Sequence, residues 1–211
     1  MTKAIDLSVS WLRQYDGGKC FFAAVTSVSG ETIFIKGFGR DVASFERLYK
    51  SFIQTRGVEP ELNGHLINDA QCAATEFLRK ILPQAKDNPK VALTSDRLKV
   101  GDTLVATVAG AGAKALDVLV IDGNGLVRNL KDDASGAGAG DDRTFELQFM
   151  DSQIDGESPE MIIAIASPSG LVVPTGDEAA PAADLFPRLA RQIEDMGGSV
   201  GVDFAYFRLS K

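Results

Sequence analysis

Apolar and polar residues alternate in two opening runs, 6–14 and 19–27, and this period of two predicts a pair of β-strands around the Asp16-Gly17-Gly18 turn. A third strand, Thr32-Ile33-Phe34-Ile35-Lys36-Gly37, follows the turn at Ser29-Gly30-Glu31. The period then changes. Val42, Phe45, Leu48, Tyr49, Phe52 and Ile53 recur at spacings of three and four, the stripe of an amphipathic helix. Asp41 is placed to cap its start and Gly57 to stop it. A short strand is expected over 61–67. Asn68 or Asp69 then caps a second helix carrying Cys72, Ala73, Phe77, Leu78, Ile81 and Leu82. Pro83 ends that helix, and 83–89 reads as a linker.

Beyond the linker the pattern is mainly that of β-structure. Runs at 103–109, 115–121, 125–130, 144–150 and 160–166 alternate or are continuously apolar. Asp122-Gly123-Asn124-Gly125 predicts a tight hairpin, because Asn-Gly adopts the positive φ angles of such turns at little cost. Ser135–Gly140 reads as a flexible loop, since glycine at that density holds regular structure only at an entropic cost. A second polar, Pro-containing connection covers 175–183. A helix from about Ala183 to Met196 follows, with Leu185, Phe186, Leu189 and Ile193 on one face. The last strand, 200–209, is apolar enough to be buried.

These elements predict an α+β protein with a small α/β module over 5–83. A mainly antiparallel, sandwich-like β domain follows over 90–209, its C-terminal helix and strand packing back on the fold. At 211 residues and 45% apolar content the chain can bury substantial cores. Its 29 acidic and 22 basic residues give a net charge of -7, and no basic run is present. Nucleic acid and anionic membrane surfaces are therefore poor electrostatic matches. No stretch approaches the roughly 20 apolar residues of a membrane span, so direct membrane insertion is not expected.

The two cysteines change the picture most. Cys20 sits where the Gly17-Gly18 turn enters an apolar strand, and Cys72 in the first turn of the second helix. Neither has another Cys or a His at metal-ligand spacing. A disulfide is the favoured reading, and closing so long a loop stabilises by about 4 kcal/mol on the chain-entropy model. The alternative is a pair of buried free thiols. The opening residues Met1–Asp6 hold no apolar signal core. An oxidised pair therefore implies an excised piece of a longer periplasmic or membrane-anchored protein, the alternative being a cytoplasmic chain.

Other residues invite chemistry less strongly. His65, the single histidine, has no nucleophile or orienting carboxylate at a telling spacing, so a structural role outweighs that of a general base. Asp122-Gly123-Asn124-Gly125 lacks the further oxygen ligands of a calcium loop, because Leu126 and Val127 stand where they should continue. Gly37-Phe38-Gly39 and the 136–140 loop lack phosphate-loop spacing. The pairs Asp132-Asp133 and Asp141-Asp142 read as solvating charges. Trp11 and Tyr15 are the best candidates for an exposed recognition surface. No catalytic residue, metal site or cofactor is expected, and the partner or small-molecule ligand is left open.

Two segments resemble known bacterial families. Cys20 with its Gly-Gly approach, Gly37-Phe38-Gly39, the helix over 42–56 and the Gln71-Cys72 helix start resemble a small α/β module. It is similar to the bacterial OsmY-and-nodulation domain and to the C-terminal extracytoplasmic part of alphaproteobacterial serine/threonine kinases. Three later landmarks resemble a domain of unknown function attached to bacterial caspase-like proteins and kinases. They are Leu98–Leu104, Leu119–Gly125 and Ile162–Ser167. The chain departs from that second family over 131–142, where its loop is unusually rich in Gly and Ala. The resemblance implies a non-catalytic, extracytoplasmic sensing or interaction domain of a kinase-associated signalling protein. A scaffold or adaptor of a cell-envelope or secretion assembly is the alternative.

Overall fold

A helix, not a strand, opens the chain in the computed structural model, which describes residues 2–130, 134–137, 142–149, 156–175 and 178–211. Helix α1 (Thr2–Gln14) takes up the run 6–14 that alternation assigned to a β-strand. A second pattern coexists with that alternation, in which Ser8, Leu12 and Tyr15 recur at spacings of four and three. Ser8 and Leu12 are buried, whereas Leu7 is 49% exposed. The Trp11 ring lies edge-on to Phe52 at a centroid distance of 5.4 Å. The Ser8 hydroxyl accepts a hydrogen bond from Arg56 Nε at 3.2 Å. Tertiary contact thus selects the helical period over the strand period.

Three strands form the first sheet, in the order β1 (Phe22–Ser29), β2 (Thr32–Gly39), β3 (Glu61–Leu66). β1 pairs antiparallel with β2, and β3 pairs parallel with β2 after the crossover helix α2 (Val42–Arg56). The expected caps are present. Ser44 N–H donates to Asp41 Oδ1 at 2.7 Å, and Gly57 ends the helix at φ 71°. Leu12, Phe21, Ile33, Ile35, Phe45, Leu48 and Phe52 form one core between this sheet and α1 and α2. Phe45 fits there because its ring lies over Gly37, Gly39 and Gly64.

The other face of the first sheet presents Phe22 and Phe38 to a larger core shared with the rest of the chain. A short 3-10 turn (Asp69–Gln71) leads into α3 (Cys72–Ile81). The fully buried Gln71 makes the junction. It accepts from Asn68 N–H at 3.1 Å and donates to the carbonyls of Pro159 (2.8 Å) and Ile121 (3.3 Å).

Residues 83–89 do not act as a free linker. Lys86 N–H donates to the Val200 carbonyl at 2.9 Å, and Asn88 Oδ1 accepts from Val202 N–H at 3.0 Å. Gly201 permits this approach, since a Cβ there would overlap the Asp87 carbonyl. β4 (Lys90–Leu93), β6 (Thr103–Ala109), β10 (Arg143–Gln148) and β9 (Ala134–Ala137) form a four-stranded antiparallel sheet in the order β4-β6-β10-β9. The loop expected over 135–140 therefore begins as a strand, and its residues 138–140 lie outside the described ones. Backbone pairing with β10 forms an edge strand there despite the small side chains.

The largest sheet has six strands. Its centre is β7 (Ala115–Ile121), β11 (Glu157–Ser167) and β13 (Gly201–Ser210). β8 (Leu126–Asn129) and β12 (Ala180–Pro181) extend one edge, and β5 (Arg97–Lys99) pairs parallel with β13 on the other. Ile162, Ala164, Ala166, Ala205 and Phe207 face the four-stranded sheet and build the sandwich core with Leu104, Ala106, Val108 and Phe145. Met161, Ile163, Ile165, Val202 and Phe204 face α3, α4 (Ala182–Asp195) and the phenylalanines of the first sheet. β11 is buried on both faces, which is why it reads as a continuous apolar run. The architecture is α+β, as expected.

Candidate functional site

Phe21, the residue before β1, and Phe22, its first residue, turn to opposite faces of the first sheet, as successive side chains entering a strand do. Phe21 joins the core under α1 and α2, and Phe22 the core shared with α3. A cleft opens along the strand edge between those two cores. It is lined by Phe21–Val25 on its floor, by Val9, Leu12, Arg13 and Tyr15 on one wall, and by Arg79, Leu82, Pro83, Ala85 and Asn88 on the other. Its volume of about 140 Å³ far exceeds the ~10–15 Å³ that one water needs. β1 is an edge strand whose neighbour in the sheet is β2. In an antiparallel pair, alternate residues of such a strand turn their N–H and C=O groups away from the partner.

Both cysteines brace this cleft. Cys20 and Cys72 form a disulfide, with their Cα atoms 4.6 Å apart. Cys20 is 2% exposed and holds a left-handed backbone (φ 61°) that non-glycine residues seldom adopt. The bond fastens the start of β1 to the start of α3. Arg79 lies seven residues further along α3, about two turns and on the same face. A Cβ on Gly17 would overlap the Phe21 ring, so the turn before Cys20 admits only glycine if Phe21 is to keep its place.

Arg13 and Arg79 are the charged residues of the lining, and both are exposed. Among the described residues neither is ion-paired with a carboxylate. Among the described residues no Asp or Glu lines the cleft. A chain of net charge -7 thus carries here an apolar cleft edged by positive charge alone.

Tyr15 belongs to the cleft wall, its ring edge-on to Phe21 at 6.1 Å. Trp11 stands behind it, 5.1 Å from Tyr15 and packed on Phe52. His65 lies elsewhere, stacked on Tyr206 with ring centroids 4.1 Å apart. Burial, aided by Lys36 and Arg208, pushes its pKa down to about 4, so the ring is neutral at ordinary pH. Asp122 Oδ1 accepts from the N–H groups of Asn124 and Leu126, both at 2.9 Å, which commits that oxygen to the turn. Gly37 and Gly39 lie under the Phe45 ring. Asp132, Asp133 and Asp141 lie outside the described residues.

Glu160 is a strongly perturbed carboxyl. It is 2% exposed, and burial pushes its pKa up to about 8, with hydrogen bonds from Ser158 and Gly123 N–H opposing. Among the described residues its Oε2 has no hydrogen-bond partner. Among the described residues no group of three or more His, Cys, Asp or Glu is placed to hold a metal ion. No helix of the described residues is long and apolar enough to cross a membrane.

Sequence reading joined Cys20 to Cys72 as the favoured disulfide and singled out Tyr15 apart from them, with no means of placing the three at one cleft. Arg13 and Arg79 carried no signal, because exposed arginines on amphipathic helices are ordinary. Comparison with family models, with curated proteins and with solved structures finds no match for the chain.

Proposed function

We propose that this chain is a non-catalytic extracytoplasmic interaction domain of a signalling protein, and that it binds through the disulfide-braced cleft beside β1. The observation that carries this reading is the cleft itself. It combines apolar walls with two arginines that form no ion pair among the described residues, the mixture by which binding sites join affinity to orientation. The Cys20–Cys72 bond supports an oxidising compartment such as the periplasm. The link to serine/threonine kinases rests on the resemblance of Gly37–Gly39, Gln71-Cys72 and the later β landmarks. The unpaired edge of β1 favours a second reading, an adaptor of a cell-envelope assembly that docks protein partners.

A ligand screen by thermal shift tests the proposal. Ligands that raise the melting temperature should lose their effect in Ala24→Glu, which projects a charged chain into the cleft. The same preparation should be inert toward ester, peptide, phosphate and glycoside substrates. Turnover abolished by His65→Ala would overturn the non-catalytic reading.

A further inference from the structure

The edge of β1 is regular only for part of its length. Pairing with β2 runs in register from Phe22 to Val25, and a bulge between Val25 and Ser27 then breaks it. The cleft lining on β1 ends at the same residue, Val25. Pairing resumes at Ser27, but the bulge twists the strand there, so the regular edge that borders the cleft is Phe22–Val25 with Phe21 leading into it, residues 21–25 in all. Five residues at ~3.3 Å each span about 17 Å, the reach of a short extended peptide. Phe21 and Phe22, on opposite faces, leave an incoming strand apolar surface on both of its sides.

The charge at the cleft narrows the occupant further. Arg13 stands on the α1 wall and Arg79 on the α3 wall, both exposed and neither ion-paired among the described residues. A second copy of this chain, paired edge to edge, would bring these arginines toward another pair of arginines without a carboxylate in the lining to compensate. A basic or neutral strand would leave them unused. Guanidinium forks bind carboxylates through two parallel hydrogen bonds, and more strongly as water is excluded.

Resting on the reading of this cleft as a binding site, we infer that β1 receives an extended acidic peptide segment of a partner protein, added as a further strand, with Arg13 and Arg79 pairing its carboxylates. Main-chain hydrogen bonds to residues 21–25 supply the docking, and the two arginines select acidic over basic sequences. Alternate side chains of the guest lie against the Phe21 and Phe22 sides of the cleft.

Selection of random peptides displayed on phage against the purified, oxidised protein tests this, because it presupposes no sequence. Winning peptides should carry Asp or Glu among β-branched and aromatic residues. A synthetic winner, titrated by fluorescence anisotropy, should bind at least tenfold more weakly to Arg13→Glu and to Arg79→Glu. Both variants are exposed and should keep the parent melting temperature. N-methylation of one inward-facing backbone amide of the peptide should abolish binding, and hydrogen exchange at residues 21–25 should slow at least tenfold in the complex. Winners without acidic residues, affinity unchanged in the double variant Arg13→Glu/Arg79→Glu, or protection confined elsewhere would overturn the inference. Sodium decanoate separates the two levels of the argument. If decanoate binds in the cleft and no peptide is selected, the site stands and its strand-like partner falls. If neither binds, both fall. Self-association that buries residues 21–25 would likewise replace the peptide with a second copy and overturn the inference.

Discussion

The Phe45 ring and the glycines beneath it should behave as one energetic unit. A Cβ added at Gly64 would stand 2.8–2.9 Å from three atoms of the ring. One at Gly39 would stand 3.0–3.1 Å from the ring's far side. Gly37 and Gly64 are register partners, so the ring lies across two adjacent strands. Neither Gly39 nor Gly64 has a positive φ, so a side chain there meets a steric penalty rather than a backbone one. Phe45 is only 7% exposed, and Phe45→Ala should cost about 3–5 kcal/mol. Gly64→Ala alone should cost about 1–3 kcal/mol by overpacking. With the ring gone these three close contacts vanish, and the same change should be neutral or stabilising by roughly 0.5–1 kcal/mol. The double-mutant cycle, measured by urea unfolding with the disulfide intact, should therefore give a coupling of about 2 kcal/mol. Additive effects, within about 0.5 kcal/mol, would mean that the ring does not rest on Gly64, and the packing of α2 on the first sheet would have to be redrawn.

Two further outcomes follow from the cysteines and from Glu160. Non-reduced, denatured protein should take up no thiol label, and the variant Cys20→Ser/Cys72→Ser should lose about 4 kcal/mol of stability, given the sequence separation of 52; two labelled thiols would refute the pairing. Glu160 has a folded pKa of about 8 against an ordinary 4.5, so the folded state holds a proton that the unfolded state releases within that window. Stability present below pH 4.5 is accordingly lost as the pH rises toward 8, by on the order of 3–5 kcal/mol in all. Glu160→Gln should flatten that dependence and raise the melting temperature at pH 8 by roughly 5–10 °C; an unchanged slope would assign the loss to another group.

Legibility along this chain followed how local each signal was. Helix α2 could be read from its stripe, its Asp41 cap and its Gly57 stop, all within one short segment. The β7–β8 hairpin could be read from Asn124-Gly125. The disulfide was the favoured reading because only one partner existed for each cysteine. Helix α1 was misread because alternation at Leu7, Val9 and Trp11 is genuine, and only the distant Phe52 and Arg56 decide which face is buried. The 83–89 segment read as a linker because nothing local reveals that Gly201, more than a hundred residues later, makes room for its carbonyls. β5 and β12 are too short to leave a pattern at all.

Two of the misread segments, α1 and 83–89, contribute walls of the cleft, and the cause is shared. Each wall is committed to a different core. α1 packs with α2 on the first sheet, while α3 packs with α4 on the largest one. Both helices touch β1, but each is held mainly by a core built from distant segments, so local sequence around β1 could not announce a groove there. What ties one wall to the floor is the Cys20–Cys72 bond, which fixes the start of β1 to the helix that carries Arg79. Binding an extended segment costs the ordering of every group that is loose beforehand, and a covalent strut between floor and wall removes part of that cost before the partner arrives. A cleft assembled from distant segments gains most from such a strut. On the proposed binding reading the disulfide would serve recognition as well as folding, bracing a strand edge that is otherwise held by the contacts of Phe22 with Phe38 and Phe204.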